Sequence, residues 1–247
     1  TDNCIHLVVC RRQAMAIDPT DAGLVIARLR ELNLALEGVL LTHAHADHTA
    51  GADALRRHTG CEVIGPRECH ATGLDRTIGA GDEVFSPVTR FQVLHAPGHT
   101  LEHVVYYSPG MAAAWTGDTL FTAGCGRPAG TDGVSLLWRT LLRLRALPPA
   151  TRIWCGHDYT LDNLEFALSL LPEDRRLLTR RRATLQLARV GRPAVGAALR
   201  EEHRSNLFLR ADTPEVAAAL GLPPDSPGIH VFAALRARKD GYNLSAS

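Results

Sequence analysis

Thr42-His43-Ala44-His45-Ala46-Asp47-His48 packs three imidazoles and a carboxylate into one short stretch. Side chains so crowded repel one another when protonated, and a bound cation is the natural reason to crowd them. Neutral imidazole and ionised carboxylate suit borderline metals such as zinc, iron or manganese. The stretch follows Gly38-Val39-Leu40-Leu41, which reads as a buried strand. Three further groups follow in order: Gly98-His99-Thr100, Gly117-Asp118-Thr119 and Gly156-His157-Asp158. Each comes after its own predicted strand, at Phe91–His95, Ala112–Trp115 and Arg152–Cys155. Ligand groups at strand ends, far apart in sequence, can converge on one edge of a rigid sheet core.

Working outward, Val8-Val9 and Ala14–Ile17 read as strands closed by Asp18-Pro19. Residues 21–34 have helical spacing, with Leu24, Ile26, Leu29 and Leu32 on or near one face. Residues 50–58 form a second helix ended by Gly60, followed by a strand at Glu62-Val63-Ile64. Val104–Tyr107 pairs with Ala112–Trp115 across Pro109-Gly110. This alternation predicts α/β layers. From about residue 165 the pattern turns helical, with a start at Thr213-Pro214-Glu215, a stop at Gly221 and a last helix over 229–239. The expected boundary at 168–172 divides a catalytic domain, 1–168, from a helical region, 169–247.

The 247 residues, 45% hydrophobic and 21% charged, suit a globular chain of one full and one smaller domain. A net charge of +1 does not suggest a nucleic-acid partner. Residues 1–170 carry −4 and residues 171–247 carry +5, a polarity that could attract a small anion. For the runs Arg175-Arg176 and Arg180-Arg181-Arg182 the expectation is a solvated helix surface. Lys239 is the one lysine, against 26 arginines. No apolar run is long enough for a bilayer, and no charged segment followed by an apolar one opens the chain. Six cysteines without a C-x-x-C pair point to a reduced cytoplasm.

Histidines two apart can share one metal with a third imidazole from elsewhere. His43, His45 and His99 therefore suit one site. Asp47, His48 and His157 suit a second, and the two carboxylate oxygens of Asp118 can bridge both. Two ions would hold a hydroxide between them, the metal lowering the pKa of water from about 15.7 towards about 7. Asp47 is expected to orient that nucleophile. A closed structural site would favour four cysteine-rich ligands, and this set leaves positions open. The remaining histidines (6, 58, 70, 95, 103, 203, 230) read as surface or structural groups, with His103 a candidate support for the ligands.

These motifs, in this order, resemble the metallo-β-lactamase fold superfamily. Gly117-Asp118-Thr119-Leu120-Phe121, Gly124-Cys125-Gly126-Arg127, Cys155-Gly156-His157-Asp158-Tyr159-Thr160 with Asn163-Leu164, and Leu235-Arg236-Ala237-Arg238-Lys239-Asp240 resemble glyoxalase II, the hydroxyacylglutathione hydrolases. The resemblance implies a four-layer αββα sandwich with a small C-terminal helical domain. It implies two divalent ions, zinc first, with iron or manganese as alternatives. It implies hydrolysis of the thioester S-D-lactoylglutathione to D-lactate and glutathione, in methylglyoxal detoxification. Groups matching Arg127, Tyr159, Arg236 and Lys239, with Asn163 nearby, would grip glutathione. Arg236 and Lys239 are three apart on one helix face, so both can meet one anion. The expected partner is this thioester alone, without nucleic acid or membrane, bound by a monomer.

The chain departs from that pattern after Arg127. Pro128-Ala129-Gly130 is one residue shorter than the family's usual run and lacks its aromatic hydroxyl. Leu207 follows Asn206 where proline is usual, and Glu102 stands where a small residue is common. The nearest enzyme rival is a persulfide dioxygenase, which resembles this chain in the first motifs but uses one iron and lacks the C-terminal helical domain; a related thioesterase, a lactonase or a β-lactamase also fits the ligand set. The non-enzyme rival is a metal-binding protein without turnover, against which an intact ligand set counts.

Overall fold

The computed structural model describes the backbone of residues 3–246, and their side chains except at 70–72 and 243–246. The reading of His70 lies outside the described side chains. β1 (His6–Cys10) and β2 (Gln13–Ile17) pair as a hairpin; α1 (Ala22–Leu32) then leads to β3 (Ala35–Leu40), parallel to β2. α2 (Ala46–Thr49) and α3 (Ala52–Thr59) lead on to β4 (Glu62–Pro66) and β5 (Arg76–Ile78), both parallel additions. The first sheet runs β1-β2-β3-β4-β5.

β6 (Glu83–Phe85), β7 (Arg90–His95), β8 (Val104–Ser108) and β9 (Ala113–Gly117) form an antiparallel meander. A short hairpin, β10 (Leu120–Phe121) and β11 (Gly124–Cys125), follows it. α4 (Gly133–Arg145) crosses to β12 (Arg152–Cys155), which lies parallel to β9 with Trp154 opposite Trp115. Then come α5 (Thr160–Leu170), α6 (Arg175–Arg189), β13 (Ala197–Ala198), α7 (Leu199–Ser205), α8 (Pro214–Ala219) and α9 (Gly228–Ala246). β13 closes the edge of the second sheet, ordered β13-β12-β9-β8-β7-β6.

The two-residue period of the strands builds the layers. Met15, Ile17, Leu40 and Ile64 of the first sheet meet Phe91, Val93, Tyr106 and Trp115 of the second in one buried cluster between the sheets. Their neighbours point the other way. Ala14, Ala16, Val39 and Val63 pack against Val25, Leu29, Ala52 and Leu55 of α1 and α3. On the far side, Val105 and Ala114 of the second sheet join Leu137, Leu164, Phe208 and Phe232. Each such fully buried aliphatic or aromatic side chain contributes about 1.5–3 kcal/mol over leaving it exposed. The result is helix, sheet, sheet, helix: the αββα sandwich. The helices after 170 pack on the outer face of the second sheet and share one buried cluster with α4 and α5.

Four expectations change. The buried face of α1 is Val25 and Leu29, while Leu24 and Leu32 are 64% and 44% exposed. The helix expected over 50–58 begins only at Ala52, and Gly51 separates it from a helical turn before it. The Gly51 N–H bonds Pro19 O at 2.8 Å, and a Cβ there would lie 2.5 Å from the same oxygen. Asp47 and His48 sit on that turn, α2. The Thr213 hydroxyl makes no cap bond to α8 and donates instead to Arg210 O. Arg180 is not a solvated residue. It donates to Ser205 and to Glu202, whose side chain is fully buried.

Candidate metal centre

β3, β7, β9 and β12 all end at the same edge of the sandwich, and the four motifs begin where they stop. His43 Nδ1 lies 3.0 Å from Thr42 Oγ1, so its Nε2 faces the centre, buried and without a hydrogen-bond partner. His48 directs Nδ1 to Asp18 Oδ2 at 3.0 Å and turns Nε2 inward. His99 donates from Nδ1 to Arg127 O at 2.9 Å, which leaves Nε2 as an acceptor. Such outer partners fix the tautomer and aim a ligating nitrogen.

The inward atoms converge. His99 Nε2 is 3.1 Å from His45 Nδ1, and His48 Nε2 is 3.2 Å from His157 Nε2. Asp118 Oδ1 lies 3.3 Å from His48 Nε2, and Asp118 Oδ2 lies 3.6 Å from His99 Nε2 and 3.4 Å from His157 Nε2. Asp47 Oδ2 stands 3.4 Å from His157 Nε2 and 3.7 Å from His48 Nε2. Among the described residues three groups have their ligand atoms within 4.8 Å of one another: His43, His45, His99 and Asp118; Asp47, His48 and His157; and Asp18, His43 and His48, in which Asp18 meets the outer Nδ1 of His48. Asp118 is in contact with ring nitrogens of the first two groups. All seven side chains are thus brought together.

The electrostatics fit a cation. Burial holds His43 well below the usual imidazole range, and it lowers His99 as well. Burial opposes a proton on His48 too, but Asp118 and Asp18 outweigh it and push His48 up to about 10. Burial raises Asp118, yet its bonds with His157 and His48 hold it far below the usual carboxylate range. The cluster thus sets ionised carboxylate beside two rings, His43 and His99, whose burial resists a proton. Neutral imidazoles and ionised carboxylates are the forms that bind divalent ions.

Glycines let the backbone pass beneath. A Cβ on Gly156 would lie 2.5 Å from both Asp118 Oδ1 and His48 Cε1. Gly117 has φ +47°, and a Cβ there would lie 2.5 Å from Thr42 Oγ1. His103 is the support that the sequence suggested. It is buried, stacks on His43 at 4.8 Å, and accepts the Asp118 N–H on Nε2 at 3.1 Å. Burial pushes its pKa down to about 3, so the ring stays neutral and can accept.

Two supports were not found from sequence. Asp18 accepts from Thr42 N at 2.8 Å and from Thr42 Oγ1 at 2.7 Å besides holding His48. Asn3 Nδ2 donates to Asp47 O at 3.0 Å and Oδ2 at 3.2 Å. The one signal for Asp18 was its place at a strand end before Pro19; Asn3 left none.

A cavity of about 600 Å³ opens from His99 and Asp118 towards the C-terminal helices. Arg127, Tyr159, Asn163, Arg236 and Lys239 all line it. Tyr159 stacks on His157 with centroids 4.9 Å apart. Arg236 donates to Cys125 O and Asp240, its Nε buried without a partner. Arg127 is exposed and reaches Asp240 at 3.2 Å. Asn163 is buried, and its amide donates to Thr122 O at 3.1 Å, tying down the β10–β11 hairpin. The shortened loop lies along Gly98-His99, with Ala129 N bonded to Gly98 O at 2.8 Å. A larger groove of about 870 Å³ runs beside β1 and contains none of the seven clustered residues.

The model of the metallo-beta-lactamase superfamily matches residues 10–157, and that of the hydroxyacylglutathione hydrolase C-terminus matches residues 158–242. The hydroxyacylglutathione hydrolase of Rhodospirillum rubrum is 41% identical over 98% of this chain and 95% of its own length. The chain belongs to the hydroxyacylglutathione hydrolase family. Among solved structures, ETHE1 from Myxococcus xanthus is 28% identical over 96% of this chain and 94% of its own, with a TM-score of 0.64. TTHA1623, solved in a di-iron-bound form, is 27% identical over 83% of this chain and 93% of its own, with a TM-score of 0.58. Family membership, the fold and the His/Asp cluster together make this a metal-binding hydrolase fold, and no described helix is long and apolar enough to cross a membrane.

Proposed function

We propose that this chain hydrolyses S-D-lactoylglutathione to D-lactate and glutathione. The observation that carries this reading is the adjacency of two features: a cluster of five imidazoles and two carboxylates, and a cavity lined by Arg127, Arg236 and Lys239. Glutathione carries two carboxylates, and guanidinium and ammonium groups are their natural partners.

His43, His45, His99 and Asp118 would hold one divalent ion, and Asp47, His48, His157 and Asp118 a second. Zinc is the first choice, and the iron pair reported for TTHA1623 makes iron the alternative. Such ions, when bound, supply a water of lowered pKa and polarise the thioester carbonyl. The protein's share is placement. Asp18, Arg127 O and Thr42 aim the imidazoles, His103 and the Gly117 turn hold Asp118, and Asn3 steadies Asp47 for orienting the attacking water. Tyr159, stacked on His157, lines the same cavity as Arg127, Arg236 and Lys239. The leaving thiolate has a conjugate acid of pKa about 8.5 and needs little proton donation. We assign residues 1–168 to the catalytic domain and 169–247 to the substrate-gripping region. The protein would act as a cytoplasmic monomer.

Purified protein assayed for loss of thioester absorbance, with metal content measured on the same sample, tests this. Chelator-sensitive hydrolysis with about two ions per chain is expected. Metal-replete protein that leaves S-D-lactoylglutathione intact would refute it, and would turn attention to other thioesters, lactones or persulfides.

A further inference from the structure

Of the three cations in the cavity, Lys239 is the most enclosed. Its side chain is 3% exposed, and its ammonium lies over the rings of Phe166 and Tyr242, 5.2 and 5.4 Å from their centroids. In the remaining space it donates to the carboxylate of Asp162 and, at 3.3 Å, to the Asp162 backbone carbonyl. Asp162 itself lines the cavity and is half-exposed. An anion entering the cavity to reach Lys239 meets a carboxylate already in place. Arg236 also carries a carboxylate, Asp240 at 2.9 Å, but keeps one further donor, its buried Nε, without a partner.

We propose that Asp162 is a specificity-determining residue: an internal carboxylate that competes with a substrate carboxylate for Lys239. The inference rests on the glutathione-thioester reading above. An incoming carboxylate must share the ammonium or displace Asp162 towards solvent, so the attraction gained at Lys239 is discounted. Asp162 thereby weakens substrate and free glutathione alike, which favours product release. It also narrows the preference for thiols that carry the competing carboxylate over thiols that lack it. The plainer role for Asp162 is electrostatic support of α5, since it stands in the first turn, where a carboxylate complements the helix dipole. That role predicts lost stability and no change in binding.

Asp162→Asn and Asp162→Ser should separate the two. Steady-state kinetics with S-D-lactoylglutathione should show KM falling about two- to fivefold, the range expected when a half-exposed ion-pair competitor is removed, with kcat changing less. Competitive inhibition by glutathione should tighten by a similar factor, and inhibition by glutathione ethyl ester should tighten less. An unchanged or higher KM in both variants, with turnover intact, overturns the inference and leaves the thioesterase reading standing. No turnover and no glutathione binding in the parent protein overturns both.

Discussion

The His48 imidazole donates its Nδ1–H to the buried carboxylate of Asp18 across 3.0 Å, and this contact decides which nitrogen faces the metal centre. Asp18 comes from the end of β2 and His48 from α2. The same carboxylate accepts both donors of Thr42, the residue that opens the histidine stretch. One side chain thus fixes the start of the ligand loop and its last imidazole.

Asp18→Ala should therefore weaken metal binding, because Asp18 holds the His48 ring from its Nδ1 side. The expected loss is roughly 10- to 100-fold in affinity, typical of removing the outer partner of a ligating histidine. Competition with a chromogenic chelator measures it. An affinity equal to that of the parent would show that His48 orients itself.

Gly156→Ala should lower metal occupancy and leave the fold intact. The added methyl would sit 2.5 Å from Asp118 Oδ1 and from His48 Cε1, against atoms held by their own bonds. Metal analysis beside circular dichroism checks this. Full occupancy would mean that β12 can shift to make room.

Glu202→Ala should cost stability rather than chemistry. Its fully buried carboxylate accepts from Ala123 N at 2.8 Å and Asn206 Nδ2 at 3.1 Å, and it holds Arg180. Breaking a buried pair by removing one partner typically costs about 3–5 kcal/mol. Denaturant unfolding reads the loss directly, and a change under about 1 kcal/mol would contradict the burial argument.

Arg236→Ala should raise KM for a glutathione thioester roughly tenfold or more, with a smaller effect on kcat, because it removes an interaction common to ground and transition states. Lys239→Ala should raise it less, since Asp162 already occupies that ammonium. Equal KM values for the parent and the Arg236 variant would remove Arg236 from the binding surface.

The sequence alone singled out the seven residues that the fold brings together and the alternation of strands and helices, while the αββα layer order came from the family resemblance. Three imidazoles and a carboxylate in one short stretch, each later motif after an apolar strand, and a two-residue period in those strands are local patterns, so they survive without coordinates. Helix orientation was less legible: Leu24 and Leu32 match the spacing as well as Val25 does, and only packing against Val39 and Leu55 chooses Val25 and Leu29. The arginine run looked like solvated surface because nothing near it in sequence announces Glu202, 22 residues on. Asp18, Asn3 and Asp162 are single polar residues whose partners lie 30, 44 and 77 positions away. A lone carboxylate or amide has no period and no motif. Its role is set by what the folded chain brings within hydrogen-bond reach, and that is fixed only when the two sheets and the C-terminal helices pack.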